Sequence, residues 1–399
     1  MKVTELETFV VGNPPPRFGG RYWIFLKLTT DSGITGVGEV YSSTFSSSVV
    51  CQMIRDVFDR HLFNEDPFRI EALWRGVYAR GYTMRPDVSL VSVLSGIEMA
   101  CWDIVGKECN KPVYELLGGK VHEKLRTYTY LYPPEDSDAY ADHPVYSDPN
   151  ACAEAAVQAM ERGFTAVKFD PVGGYGIYDP RQPSLESMER SEAMVRAVRE
   201  AVGPKVDILF GTHGQFTASG AIRLARRLEK YDPLWFEEPT PPELPEEMAR
   251  VARQTTIPIS TGERLTTKYE FERVLATGAA SILQLNLARC GGLLEGKKIA
   301  ALAEARYAQI APHLYNGPIG GAANIQLSAC SPNFLILEGI QEWAGFHADI
   351  LKRPLRWESG FLIPPTEPGL GVELNETLAR ANPYRGSELM LEPNPAPIL

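Results

Sequence analysis

The sequence predicts an α/β chain, a (β/α)8 barrel with a smaller α+β domain in front of it. Three observations predict it. From about residue 126 onward, eight short β-rich apolar runs alternate with amphipathic segments. From the third run onward, successive run ends lie about 25 residues apart, as one strand plus one helix requires. The first 60 residues instead read as strands with a hairpin, and residues 49–117 carry helical periodicity, so a separate unit precedes the barrel.

The hairpin is RYWIFLKLTT and ITGVGEVY joined by DSG. Before it lies GNPPPRFGG, residues 12–20, whose three prolines and three glycines forbid regular structure. After it comes the polar YSSTFSSS, residues 41–48. Two such segments beside a small sheet are typical places for binding function. The helical stretches SSVVCQMIRDVFDRHL, DPFRIEALWRGVYARG and LVSVLSGIEMACWDIVGKECN follow, and PVYELLGG ends the block on a glycine pair. The barrel runs are LRTYTYLY (125–132), FTAVKFD (164–170), KVDILFG (205–211), PLWFEE (233–238), IPISTGE (257–263), SILQLN (281–286), AQIAPH (308–313) and NFLILE (333–338). The second and third run ends are 41 residues apart, and the surplus lies in the loop PVGGYGIYDPRQPSLESM, expected at the functional face. After residue 340, WESGFLIPPTEPGLGVEL reads as strands and turns returning to the front domain.

Composition narrows the function. The 399 residues suit two or three domains, or one large barrel with an added domain. With 44% hydrophobic and 23% charged residues, the chain is neither disordered, nor collagen-like, nor a disulfide-stapled scaffold. A net charge of −10 argues against nucleic-acid or anionic-lipid partners but leaves room for a small anionic substrate. Six cysteines form no C-x-x-C pair. The N-terminus lacks a signal-like apolar run, and no stretch of ~18 apolar residues is read anywhere, so a soluble cytoplasmic protein is expected.

The strongest signal is what ends the barrel strands. The second ends in Lys168 and Asp170, and the third runs into Gly211-Thr212-His213-Gly214-Gln215. The fourth ends in Glu237-Glu238, the fifth in Glu263, the sixth in Asn286, the seventh in His313 and the eighth in Glu338. The C-terminal ends of barrel strands converge on one mouth, so these groups should meet there.

These strand ends and spacings, together with ACWDIVGK…PVYELLGG (100–119) and PGLGVE (368–373), resemble the enolase superfamily, specifically its mandelate racemase-like, acid-sugar dehydratase branch of galactonate and mannonate dehydratase type. The resemblance covers nearly the whole chain. It implies a capping domain (1–122) over a barrel (123–345), with a tail (346–399) that returns to the cap. It also implies Mg²⁺ bound by three carboxylates at the third, fourth and fifth strand ends. Glu237 and Glu263, 26 residues apart, match the second and third ligands. Twenty-six residues before Glu237 stands Gly211 in place of the first. His313 matches the family's base, and its partner position, 27 residues earlier, holds Asn286 where the family has Asp. Lys168-Phe169-Asp170 stands for the family's K-x-K, Glu338 matches the acidic residue of the eighth strand, and His213 falls where the dehydratases carry a general acid.

Removing a proton α to a carboxylate creates an enediolate, and a hard divalent ion with oxygen ligands neutralises that charge. Two glutamates hold such an ion more weakly than three, so one weakly held Mg²⁺ per subunit is expected. Asp170 is the oxygen candidate for the empty ligand place, whereas His213 suits a transition metal better. His313 is the expected base, since imidazole titrates near neutrality, and Asn286 would orient it without supplying charge. Asp170 is the rival base. Lys168 would hold the substrate carboxylate. Arg17, Arg21, Tyr22, Gln215 and the hydroxyls of 42–48 would meet a polyhydroxylated acid. Tyr128, Tyr130 and Tyr132 share one strand face and either line the pocket or fill the core.

The expected function is therefore a hydro-lyase: α-proton abstraction, loss of the β-hydroxyl and ketonisation to a 2-keto-3-deoxy acid. Epimerisation or cycloisomerisation is an alternative, against which His213 speaks. A non-catalytic ligand binder is the third reading, favoured by Gly211 and Asn286. The expected partners are a small carboxylate and further copies of the chain.

Overall fold

Three antiparallel strands open the chain: β1 (Val3–Gly12), β2 (Tyr22–Thr30) and β3 (Thr35–Val40). The computed structural model describes residues 1–399 except 43, 83, 135–136, 140–141, 173–179 and 392–399. Central β2 is paired along both edges and is mostly buried. Helices α1 (Ser47–His61), α2 (Ile70–Ala79) and α3 (Val88–Glu108) follow. Asp87 caps α3 by accepting from the N–H groups of Ser89 and Leu90. Helix α3 presses on β3 so closely that a Cβ at Gly38 would fall 1.9 Å from the Gly96 carbonyl oxygen, so glycine is required there. This helix corrects one expectation: it is long and apolar enough to cross a membrane. Its most apolar window is 83% buried inside the protein, so the pattern here is that of a core helix.

After the short α4 (Val113–Leu116), eight strands form the expected ring. They are β4 (Leu125–Tyr130), β5 (Ala166–Phe169), β6 (Asp207–Gly211), β7 (Trp235–Glu237), β8 (Ile259–Thr261), β9 (Ile282–Leu283), β10 (Gln309–Ile310) and β11 (Leu337–Gly339). Neighbours pair in parallel from β4 to β10, and β11 pairs back with β4. Hydrogen bonds between Ile310 and both Asn333 and Leu335 close the remaining seam. Helices α5 (Pro149–Glu161), α6 (Leu185–Val202), α7 (Ala218–Leu228), α8 (Pro245–Ala252), α9 (Thr267–Thr277), α10 (Gly292–Glu304), α11 (Pro318–Ala329) and α12 (Phe346–Asp349) follow the strands in turn. Strands β8, β9 and β10 stop before the ends of their runs, leaving Glu263, Asn286 and His313 beyond the ladder, whereas β6 and β11 reach the ends of theirs. Of the long loop expected at the functional face, residues 173–179 lie outside the described residues.

The tail does two jobs. Strands β12 (Trp357–Glu358) and β13 (Phe361–Leu362) form a hairpin that pairs with the start of β4, at the end of the barrel away from the mouth. Beyond it, α13 (Glu376–Ala381) and the residues after it return to the front sheet, where Gly12 N–H donates to Asn382 O at 2.8 Å and Tyr384 N–H to Val10 O at 2.9 Å.

Buried carboxylates tie the front domain to the barrel and tail. Glu39 on β3 accepts from the N–H groups of Gly317 and Gly320 at the start of α11. Glu98 on α3 accepts from Leu293 and Leu294 at the start of α10. Asp103, also on α3, accepts from Leu370 in the tail. The first N–H groups of a helix have no partner within it and favour negative charge, so Glu39 and Glu98 satisfy both needs of α11 and α10.

Candidate active site

Lys168 is the centre of the mouth. The β5 run AVKF carries it inward, where it is 2% exposed. Its Nζ lies 2.7 Å from Glu237 Oε1 on β7 and 3.2 Å from Glu338 Oε1 on β11. Burial opposes its charge, but these two facing carboxylates more than offset that and keep it an ammonium. Gly211, at the end of β6, leaves the room it needs: a Cβ there would sit 2.6 Å from Lys168 Cε. The position that the family resemblance reserves for a carboxylate is thus covered by a lysine side chain.

Glu237 is fully engaged. Besides Lys168, it accepts at Oε2 from Gln284 Nε2 at 2.6 Å and Trp235 Nε1 at 3.1 Å. Burial pushes its carboxyl up to about 8 against the pull of Lys168. Glu263 is different. Its Oε2 is buried without a hydrogen-bond donor, although His313 Nε2 stands 3.4 Å away. Burial would raise Glu263, but the facing His313, His213, Lys168 and Arg264 hold it well below the usual carboxylate range. One ligand atom each from His213, Glu237 and Glu263 lies within 4.8 Å of the others, a group that could hold a metal ion. Among the described residues Asp170 is not part of this group. Its oxygens accept from Val172 N–H at 2.9 Å and from Gln215 Nε2 at 2.8 Å. Gln215 therefore sits at the mouth holding Asp170.

His313, after β10, is 3% exposed. Its Nδ1 is 3.0 Å from Asn286 Nδ2, and its Nε2 is 3.8 Å from Glu338 Oε2. Burial lowers its pKa, with Glu263 and Glu338 pulling the other way. Burial also lowers His213, to about 4, against Glu263.

The front domain reaches this mouth at two places. Tyr41, just after β3, has its ring 5.9 Å from the His313 ring, and the Arg289 guanidinium lies 4.0 Å over that same tyrosine. Arg289 also donates to the Glu263 carbonyl at 3.0 Å. Phe18 in the segment 12–20 stacks on Tyr132 at 4.3 Å, and Arg17 pairs with Asp138 at 3.4 Å. Arg17 and Arg21 line a cavity of about 430 Å³ with residues 382–388 of the tail. Tyr22 is fully buried with its ring 4.4 Å from Tyr384, so it serves the cap–tail contact. Tyr128 fills the barrel core edge-on to Trp235, while Tyr130 and Tyr132 are partly exposed above it.

Residues 18–118 match the mandelate racemase / muconate lactonizing enzyme N-terminal domain, and residues 151–378 match the enolase C-terminal domain-like family. The chain belongs to the mandelate racemase / muconate lactonizing enzyme family. Within it, the chain is 37% identical over 387 residues to a D-galactonate dehydratase of Ralstonia pickettii, covering 95% of this chain and 93% of that one. It is 33% identical over 398 residues to a D-xylonate dehydratase of Haloferax volcanii, covering 98% and 91%. A solved mandelate racemase/muconate lactonizing enzyme-like protein from Roseovarius superposes with a TM-score of 0.96 at 49% identity, covering 100% and 99%. The cap-and-barrel fold of this family is the fold observed.

Four residues of the site escape a sequence reading limited to strand ends. Trp235 and Gln284 each stand two residues before a strand-end group, Glu237 and Asn286, on the same inward face. Period-two alternation would have found both. Tyr41 and Arg289 are 248 positions apart, and no local pattern joins them.

Proposed function

We propose that this chain is a sugar-acid dehydratase, removing the proton α to a carboxylate and expelling the β-hydroxyl to give a 2-keto-3-deoxy acid. The observation that carries the reading is the mouth itself: a buried ammonium faced by two carboxylates, with Glu263 and two imidazoles alongside. The dehydratase names of its relatives support it. An α-proton beside a carboxylate becomes acidic when the developing enediolate is met by fixed positive charge in a site shielded from water. Lys168 supplies that charge and would bind a substrate carboxylate oxygen.

Mg²⁺ binding is typical of this family. The residues present fit such an ion, because Glu263 offers a buried oxygen with no donor beside Glu237 and His213. We propose that Glu237 and Glu263 hold one Mg²⁺ per subunit, weakly, since Glu237 already accepts from three donors. When bound, the ion would add charge stabilisation to that of Lys168. His213 would protonate the departing hydroxyl. Its ring is neutral when the site is empty, and an incoming carboxylate raises its affinity for a proton. The α-proton would go to His313 or to its rival Asp170. Gln215 would hold Asp170, and Arg17 of the front domain would meet a polyhydroxylated acid.

For the chain as a whole, we propose a cap at 1–122, a barrel at 123–345 and a tail at 346–399, in a soluble cytoplasmic homo-oligomer. The deciding experiment is a screen of sugar acids, galactonate and xylonate included, for 2-keto-acid product with Mg²⁺ present. Turnover that Glu263→Gln abolishes together with calorimetric Mg²⁺ binding is the expected result. Tight binding of one acid without turnover would favour a non-catalytic binder instead, the reading that Gly211 and Asn286 support.

A further inference from the structure

Asn286 is held in one orientation by its partners, and that orientation fixes the proton on His313. The Asn286 Oδ1 accepts from the backbone N–H of Ala288 at 2.9 Å. A backbone N–H only donates, so the atom facing it is the amide oxygen, and the NH₂ points the other way. That NH₂ donates to Asn316 Oδ1 at 3.0 Å and lies 3.0 Å from His313 Nδ1. Asn316 is oriented in turn, since its Nδ2 donates to the Gly317 carbonyl at 3.4 Å, an atom that can only accept. The direction of donation therefore runs without conflict from Ala288 through Asn286 to both Asn316 and His313. Amide and ring orientations are assigned from this network.

An amide N–H can only donate, so Nδ1 of His313 accepts and the ring proton sits on Nε2. We propose that His313 is a hydrogen-bond donor to the substrate or its enediolate, and that Asn286 bars it from acting as the base. Its Nε2 lies 3.4 Å from Glu263 Oε2 and 3.8 Å from Glu338 Oε2, with no hydrogen bond to either, so its proton is left for a substrate oxygen. An aspartate at 286 would do the opposite. One oxygen would keep the Ala288 N–H, and the other would take a proton from Nδ1, leaving a lone pair on Nε2. Taking up a second proton would require Nδ1–H to point at the Asn286 NH₂, which is repulsive. One atom of one side chain thus turns an acceptor into a donor.

The inference rests on the dehydratase reading for its chemistry but not for its test. If His313 donates, the α-proton goes elsewhere. Asp170, two residues beyond Lys168 on the same strand run, is the acceptor we assign. The substrate C–H bond breaks, its electron pair moves into the carboxylate to form the enediolate, and the proton ends on an Asp170 oxygen.

The test is ¹⁵N NMR of the full-length protein labelled at its 6 histidines, with the His313 signals identified by their loss in His313→Gln. The expected spectrum shows a directly bonded proton on Nε2 and none on Nδ1, and the pattern inverts in Asn286→Asp. A proton on Nδ1 in the unmodified protein overturns the proposal. A second arm follows exchange of the substrate α-hydrogen in D₂O. Exchange should persist at a reduced rate in His313→Gln and vanish in Asp170→Asn, and the reverse outcome also overturns it. Should no sugar acid react, the ring spectrum still decides about His313, so the two readings fail separately.

Discussion

Replacing Lys168 by methionine removes one charge while keeping a side chain of similar length. A divalent ion on Glu237 and Glu263 would share the Glu237 carboxylate with the Lys168 ammonium, which lies 2.7 Å from Oε1. Two unit charges about 4 Å apart repel by about 4 kcal/mol at an effective dielectric constant near 20, and a divalent ion doubles that. Relaxation of the site will absorb much of this, but about 1.4 kcal/mol of relief already means tenfold. Lys168→Met should therefore bind Mg²⁺ at least ~10-fold more tightly than the unmodified protein. Without metal the variant should lose about 3–5 kcal/mol, because Glu237 and Glu338 are left buried with their counter-charge removed. Saturating Mg²⁺ should return part of that stability by mass action. Calorimetric titration and thermal unfolding with and without Mg²⁺ measure both quantities. Binding in the variant that is no tighter than in the unmodified protein would refute the idea that the lysine and the ion compete for one carboxylate.

Two further predictions concern the tethers between cap and barrel. Glu98→Ala removes the acceptor of Leu293 N–H, Leu294 N–H and Trp102 Nε1–H, and should cost about 3–5 kcal/mol in urea unfolding, since each abandoned buried donor costs about 1–3. Burial lifts the Glu39 carboxyl from 4.5 to about 7, against the hydrogen bonds from Gly320 and Gly317. A group whose pKa is raised on folding stabilises the fold below its unfolded value and loses that contribution as pH rises through the folded one. Urea midpoints should therefore fall between pH 5 and 8 by an amount worth up to about 3 kcal/mol, and Glu39→Gln should flatten that dependence.

Much of this architecture was legible because parallel barrel strands are buried on both faces and read as continuous apolar runs. The strand-end residues Glu237, Glu263 and His313 were legible for the same reason: a titratable group at the end of each run is conspicuous. What the sequence did not reveal is how absences are filled. Gly211 reads as a lost ligand, yet its missing Cβ is the space through which Lys168 reaches two carboxylates. Asn286 reads as a weakened dyad, yet its oxygen is claimed by Ala288, and only geometry shows which end faces His313. The apolar length of α3 was missed, because Glu98 and Asp103 interrupt the run, and both are buried as tethers to the barrel and the tail.

The buried carboxylates of the cap bear on how such a protein can be divided. Every residue of α11 is buried, and Glu39 of the front sheet caps its first turn. Glu98 does the same for α10, while Asp103 holds the tail. The barrel is therefore not a separable cassette. Expressed alone it would expose an apolar helix and leave several helix-start N–H groups without acceptors. Grafting a relative's cap onto this barrel must carry Glu39, Glu98 and Asp103 along with the loops. In this chain, the tyrosine that approaches His313 and the carboxylates that complete the scaffold travel on the same segment.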